Sequence, residues 1–191
     1  GDGLVTQVPS FIVAIAAVAA GQARWPATGP LRVHPTNPRY FTDGSGRAVY
    51  LTGSHTWPSL VDIGPGDPPK PFDFAAYLDF LGRLNHNFIR LWTWEPVTWN
   101  TERNRRKGIH TAAPQPFART GPGKALDGKP KFNLDKFNPE YFQRLRSRAV
   151  AAGKRGVYVA VMLFEGWGVQ FSPGAWKGHP LNKANNANNV N

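Results

Sequence analysis

The chain is 191 residues long, carries a formal charge of +11 and contains no cysteine. The length predicts one domain, and the missing cysteine excludes a disulfide framework, a thiolate metal site and a cysteine nucleophile. Gly 20 and Pro 18 shape long loops without reaching the disordered range, and 41% hydrophobic content is enough for a core.

Residues 1–23 form the first predicted element. Phe11 to Ala20 is an uninterrupted apolar run, shorter than the roughly 20 residues that a bilayer span needs. Small residues and then a Pro/Gly-rich stretch, Trp25 to Pro30, follow it. This layout predicts a secretory leader and a mature start near Arg24, hence a secreted or periplasmic protein with no membrane partner once the leader is removed. Residues 24–191 are then the domain.

Leu31 to Tyr50 predicts a β-hairpin, with Tyr40-Phe41-Thr42 and Ala48-Val49-Tyr50 flanking the turn Asp43-Gly44-Ser45-Gly46-Arg47. Tyr50 to Ser54 is a candidate strand leading into His55-Thr56-Trp57. Asp73 is placed to cap a helix from Phe74 to about Leu84, where Phe74, Leu78 and Leu81 recur at helical spacing. Asn87 to Glu95 then reads as a strand whose apolar start (Phe88, Ile89) gives way to Arg90, Trp92, Trp94 and Glu95.

Pro96 to Phe137 reads as a long irregular loop. Asn138-Pro139-Glu140 predicts a helix start, because Asn caps, Pro fits the first helical position and Glu suits the positive end. That helix ends near Ala152. Val157 to Phe164 is a continuous apolar run, as expected of a strand buried on both faces, and Glu165-Gly166-Trp167-Gly168 ends it. Gly174 to Asn191 reads as an Asn-rich loop. The alternation of strands and helices predicts parallel strands.

Charge is lopsided: Thr101 to Arg155 holds 14 Lys and Arg against 4 Asp and Glu. The spacing of Arg144, Arg146 and Arg148 spreads charge around a helix, which favours a solvated face over a nucleic-acid surface. No nucleic-acid partner is expected. The five histidines show no metal-ligand spacing, so neither a metal nor a cofactor is expected.

The chemistry gathers at three strand ends. Glu95 and Glu165 are the carboxylates there, and glycoside hydrolysis needs two; the alternative roles are binding sugar hydroxyls or structural bonding. Trp57, Trp92, Trp94, Trp167 and Trp176 are candidates for stacking on sugar rings, with His55 a candidate hydrogen-bond donor. Arg90, within a strand expected to be buried, requires a carboxylate partner.

From about Leu31 onward the chain resembles the N-terminal part of glycoside hydrolase family 5-like enzymes of clan A, the cellulase-like group. The resemblance is carried by Tyr40 to Gly44, Tyr50 to Trp57, Asn85 to Trp92 and Phe164 to Trp167. It implies an incomplete (β/α)8 TIM barrel, namely the first three β/α units preceded by a β-hairpin. It also implies a retaining attack on O-glycosyl bonds of a plant-type polysaccharide or oligosaccharide, with Arg90 supporting the nucleophile. A full barrel takes about 250 residues, and the clan's catalytic glutamates, at the ends of the fourth and seventh strands, have no counterpart here. The expectation is therefore a fragment that is inactive alone, with an open three-stranded parallel sheet and marginal stability. A non-catalytic carbohydrate-binding module and a basic nucleic-acid binder are the alternatives; the sequence does not specify an oligomeric state.

Overall fold

A computed structural model describes residues 26–100 and 108–190, so the leader-like segment lies outside the described residues. Both long helices begin where their caps predict. Asp73 Oδ1 accepts the Ala76 N–H at 2.9 Å and starts α1 (Phe74–Arg83). Asn138 Oδ1 accepts the Glu140 N–H at 3.1 Å and starts α2 (Pro139–Lys154). A third, short helix, α3, spans Trp167–Phe171.

Nine short strands accompany them among the described residues: β1 (Arg32–Val33), β2 (Phe41–Thr42), β3 (Asp62–Gly64), β4 (Phe88–Leu91), β5 (Thr98–Asn100), β6 (Ile109–Ala113), β7 (Phe117–Lys124), β8 (Pro130–Phe137) and β9 (Tyr158–Val161). The β1–β2, β3–β6, β5–β6 and β7–β8 pairs are antiparallel. Only β4 and β9 pair in parallel, from Phe88 opposite Tyr158 to Leu91 opposite Val161. The turn expected over residues 43–47 forms, and Val49 donates to the Phe41 carbonyl at 2.8 Å.

The (β/α)8 expectation is therefore overturned. The described residues form small, mostly antiparallel sheets, with a single parallel pair where three parallel strands were expected. Two causes are visible. Tyr50 to Ser54 is not a strand: the Thr52 carbonyl accepts the N–H groups of both Asn87 and Phe88, at 2.9 and 3.0 Å, and the Asn87 side chain makes two further bonds in place of a regular ladder. The Asn87 amide accepts from the Thr52 N–H and donates to the Tyr50 carbonyl, both at 2.9 Å. A Cβ at Gly53 would lie 1.8 Å from the Phe88 oxygen, closer than a strand ladder allows.

The second cause is the stretch from Pro96 to Phe137, whose described residues supply β5 to β8. The last strand is also shorter than expected, since β9 stops at Val161 while Leu163 and Phe164 are 75% and 81% exposed. The apolar run is not buried on both faces.

The core joins α1 (Leu78, Leu81), β4 (Ile89, Leu91) and α2 (Tyr141, Ala152) to Leu60, Val61 and Trp94. The charged face expected on α2 points partly inward. Arg144 Nη1 reaches Asp62 Oδ2 at 2.6 Å, and Arg148 Nη2 lies 3.6 Å from Asp62 Oδ1. Arg148 also donates to the Ser59 and Pro58 carbonyls, and burial pulls its guanidinium down to about 10. Arg146 alone of the three is fully solvated.

The Asn-rich end is ordered by its own amides. Asn186, fully buried, donates to the carbonyls of Pro180, Asn182 and Val190 and accepts the Val190 N–H. Asn185 accepts from Leu126 and donates to the Lys177 and His179 carbonyls. No helix among the described residues is long and apolar enough to cross a membrane.

Candidate functional site

Beyond β4 the chain turns inward, and Thr93, Trp94, Glu95 and Pro96 are all buried. Glu165 follows β9 by four residues and comes to the same place. Its N–H donates to Glu95 Oε2 at 3.0 Å, and its own Oε1 and Oε2 accept the Gly168 N–H at 2.7 and 2.9 Å. Residue 168 has to be glycine for this. A Cβ there would lie 2.6 Å from Glu165 Oε2 and 2.8 Å from Trp94 Cη2.

The two carboxyl groups are 8% and 3% exposed at residue level. Burial pushes Glu95 up to about 7, and the Glu165 charge adds to the rise while the Glu165 N–H opposes it. Burial also raises Glu165, against the N–H groups of Gly168 and Trp167. Burial thus raises both carboxyl groups, Glu95 to about 7, and backbone N–H groups partly offset the rise at each. Behind them Tyr141 and Thr93 share a hydrogen bond at 2.8 Å, and burial raises the Tyr141 phenol, helped by the Glu95 charge.

Five of the seven tryptophans meet around this pair. The Trp57 ring lies 4.5 Å from Trp92, 5.2 Å from Trp167, 5.5 Å from Trp99 and 6.2 Å from Trp94, centroid to centroid. His55, exposed, stacks on Trp92 at 5.4 Å. Trp94 is fully buried and forms the floor of the cluster, while Trp167 is 39% exposed at its rim. The indole N–H groups of Trp92 and Trp99 are buried without an acceptor among the described residues.

Of the residues singled out in the sequence, His55, Trp57, Trp92, Trp94, Glu95, Glu165 and Trp167 come together. Trp176 stands apart, stacked on His179 at 5.2 Å. Arg90 is exposed rather than buried, and its guanidinium lies 5.7 Å from the Trp92 ring centre instead of on a carboxylate. Trp99 was missed because its strand lies in the stretch taken for a loop; it sits opposite His110 in the register of β5 and β6.

A groove of about 360 Å³ lies apart from this cluster, lined among others by Thr98, Thr111, Gln115 and Arg119, with no tryptophan and neither glutamate. Its ion pairs, Arg119 with Asp127 and Lys129 with Asp67, satisfy each other. The carboxylate pair therefore marks the site better than the groove does. No group of three or more potential metal ligands occurs among the described residues.

Fold and site together define a mixed α and β domain with two linked, buried glutamates beneath a tryptophan wall. The chain belongs to the DUF6298 family, described as a domain of unknown function, whose model matches residues 80–191. That span holds both glutamates and Arg90, but not His55 or Trp57. No curated protein and no solved structure matches the chain.

Proposed function

We propose that the Glu95–Glu165 pair and the tryptophan cluster form a carbohydrate site, and that its chemistry is hydrolysis of an O-glycosyl bond. The observation that carries this reading is the pair of buried carboxyl groups, linked through the Glu165 N–H, beside the cluster of tryptophan rings. Such hydrolysis needs one carboxylic acid to protonate the leaving oxygen and one carboxylate to stabilise or attack the anomeric carbon. Burial, which holds Glu95 up to about 7, suits it to the first role, and Glu165, whose oxygens accept the Gly168 N–H, is assigned the second. Trp57, Trp92 and Trp167 offer ring faces for stacking. The resemblance implies a chain that is inactive alone, and turnover by the chain decides between that expectation and this reading.

The experiment is turnover of aryl-glycosides and of cellulose and xylan oligosaccharides by the purified 191-residue chain, beside Glu95→Gln and Glu165→Gln. Turnover abolished by either substitution is expected; turnover that survives both would overturn the assignment.

One observation favours a second reading, carbohydrate binding without turnover. Both Glu165 oxygens already accept the Gly168 N–H, and the residue is 3% exposed. Quenching of tryptophan fluorescence by oligosaccharides, with no hydrolysis, would select it.

A further inference from the structure

We propose that the sugar taken by this site carries an anionic group, a uronate carboxylate or a sulfate ester, and that Arg90 recognises it. The inference rests on the carbohydrate reading above and names the substrate class.

Alternation along β4 buries Ile89 and Leu91 and turns Arg90 outward. Its guanidinium then rests against Trp92, 5.7 Å from the ring centre, at the rim of the tryptophan cluster. The arginines that pack against the fold elsewhere each meet a carboxylate: Arg119 with Asp127, Arg144 and Arg148 with Asp62, and Arg155 with Asp79. Arg90 meets none among the described residues. Its main-chain oxygen accepts the Ser59 hydroxyl at 3.0 Å, which fixes the backbone and leaves the side chain facing solvent.

A guanidinium laid on an aromatic face is partly ordered before any ligand arrives. Its N–H fork matches a carboxylate or sulfate in two parallel hydrogen bonds. His55, exposed and stacked on the same Trp92 ring at 5.4 Å, adds a hydrogen-bonding group beside it. The two glutamates are buried, so among the described residues named at this site the accessible charge is that of Arg90. A net charge of +11 draws anionic ligands toward the protein in the same sense. A neutral glucan or xylan would stack on the rings and leave the Arg90 fork with water alone.

The test is a tryptophan-fluorescence titration of the full chain with three oligosaccharides of equal length: an oligogalacturonate, its fully methyl-esterified and therefore neutral form, and a sulfated neutral oligosaccharide. A single-stranded oligothymidylate is the control. Tighter binding of one or both acidic sugars than of the neutral ester, by roughly tenfold at low salt, is expected. The preferred acidic sugar identifies the group as carboxylate or sulfate. In Arg90→Gln the acidic sugar should weaken to the level of the ester while the ester is unchanged, and Arg90→Lys should restore part of the difference. Equal binding of acidic and neutral sugars would overturn this inference and leave the carbohydrate reading standing. Absence of binding by all three would overturn both. Binding of the oligothymidylate as tightly as the acidic sugar would show a nonspecific basic surface and overturn the role of Arg90 as a sugar reader.

Discussion

The main-chain N–H of Glu165 points at the side chain of Glu95, 3.0 Å away across seventy residues of sequence. This bond joins the segment after β4 to the segment after β9. It therefore extends the parallel pairing of those strands by one further contact, made through a carboxylate. The protonation state of Glu95 is tied in this way to how firmly the two segments are held together.

A pH dependence follows. Glu95 is raised to about 7 in the fold, from an ordinary value near 4.5. A raised carboxyl destabilises the fold as pH climbs, because the unfolded chain ionises first. Its effect is absent below about pH 4.5, grows to about pH 7 and then levels off. Glu95→Gln cannot ionise and keeps an acceptor for the Glu165 N–H. It should be more stable than the parent at pH 8, by about 2 kcal/mol or less after screening, and equal to it at pH 4. Urea unfolding at the two pH values measures this, and any glycosidase activity should fall as pH rises through 7.

His179 works with the opposite sign. Burial pulls its imidazole down to about 4, and its Nδ1 accepts the Leu181 N–H at 3.1 Å. Its contribution is complete above about pH 6.5 and is lost as pH falls toward 4, where the unfolded chain takes up a proton that the fold resists. Thermal unfolding of His179→Gln should show a flatter decline between pH 6.5 and 4 than the parent shows.

Gly168→Ala tests the packing under the carboxylates. The new methyl meets Glu165 Oε2 and the Trp94 ring inside ordinary contact distance. A loss of roughly 1–3 kcal/mol is expected from such overpacking. Near-ultraviolet circular dichroism should report a changed tryptophan environment as well.

Asp62 is the sole carboxylate that the Arg148 guanidinium meets among the described residues, and Asp62 also accepts the Phe72 N–H at 2.9 Å. Asp62→Ala should cost roughly 3 kcal/mol or more, because a buried guanidinium is left without its countercharge. Arg148→Met keeps the packing against Phe74 and removes the charge, so it should cost less. Denaturation midpoints of the two variants decide the order.

Local signals in the sequence were reliable where one residue sets the geometry. Asp73, Asn138-Pro139 and the turn over residues 43–47 all fixed their elements. Asp127-Gly128 is an equally strong turn signal, with Gly128 at φ 79° between β7 and β8, and it lies inside the stretch expected to be irregular. The inward face of Arg148 was also visible, since it continues the Tyr141, Leu145 and Ala152 stripe of α2. The convergence of Trp92, Trp94, Glu95, Glu165 and Trp167 followed from positions just beyond β4 and β9, whereas Trp57 joins them although no strand directly precedes it. The barrel did not, because whether Tyr50 to Ser54 becomes a strand depends on the Asn87 side chain and the Gly53 approach, both tertiary contacts. The exposure of Leu163 and Phe164 depends likewise on what packs against them.

The asparagine segment has one more effect. Phe132 of β8 donates to the Asn185 carbonyl and accepts the Ala187 N–H, and Leu134 donates to Asn188 Oδ1. These bonds occupy the outer edge of β8, the side away from β7. A strand edge left bare recruits strands from other molecules. Here the segment from Asn185 to Asn188 fills that place with its main chain and one asparagine side chain, so the hairpin is protected from self-association by residues that look, in isolation, like filler.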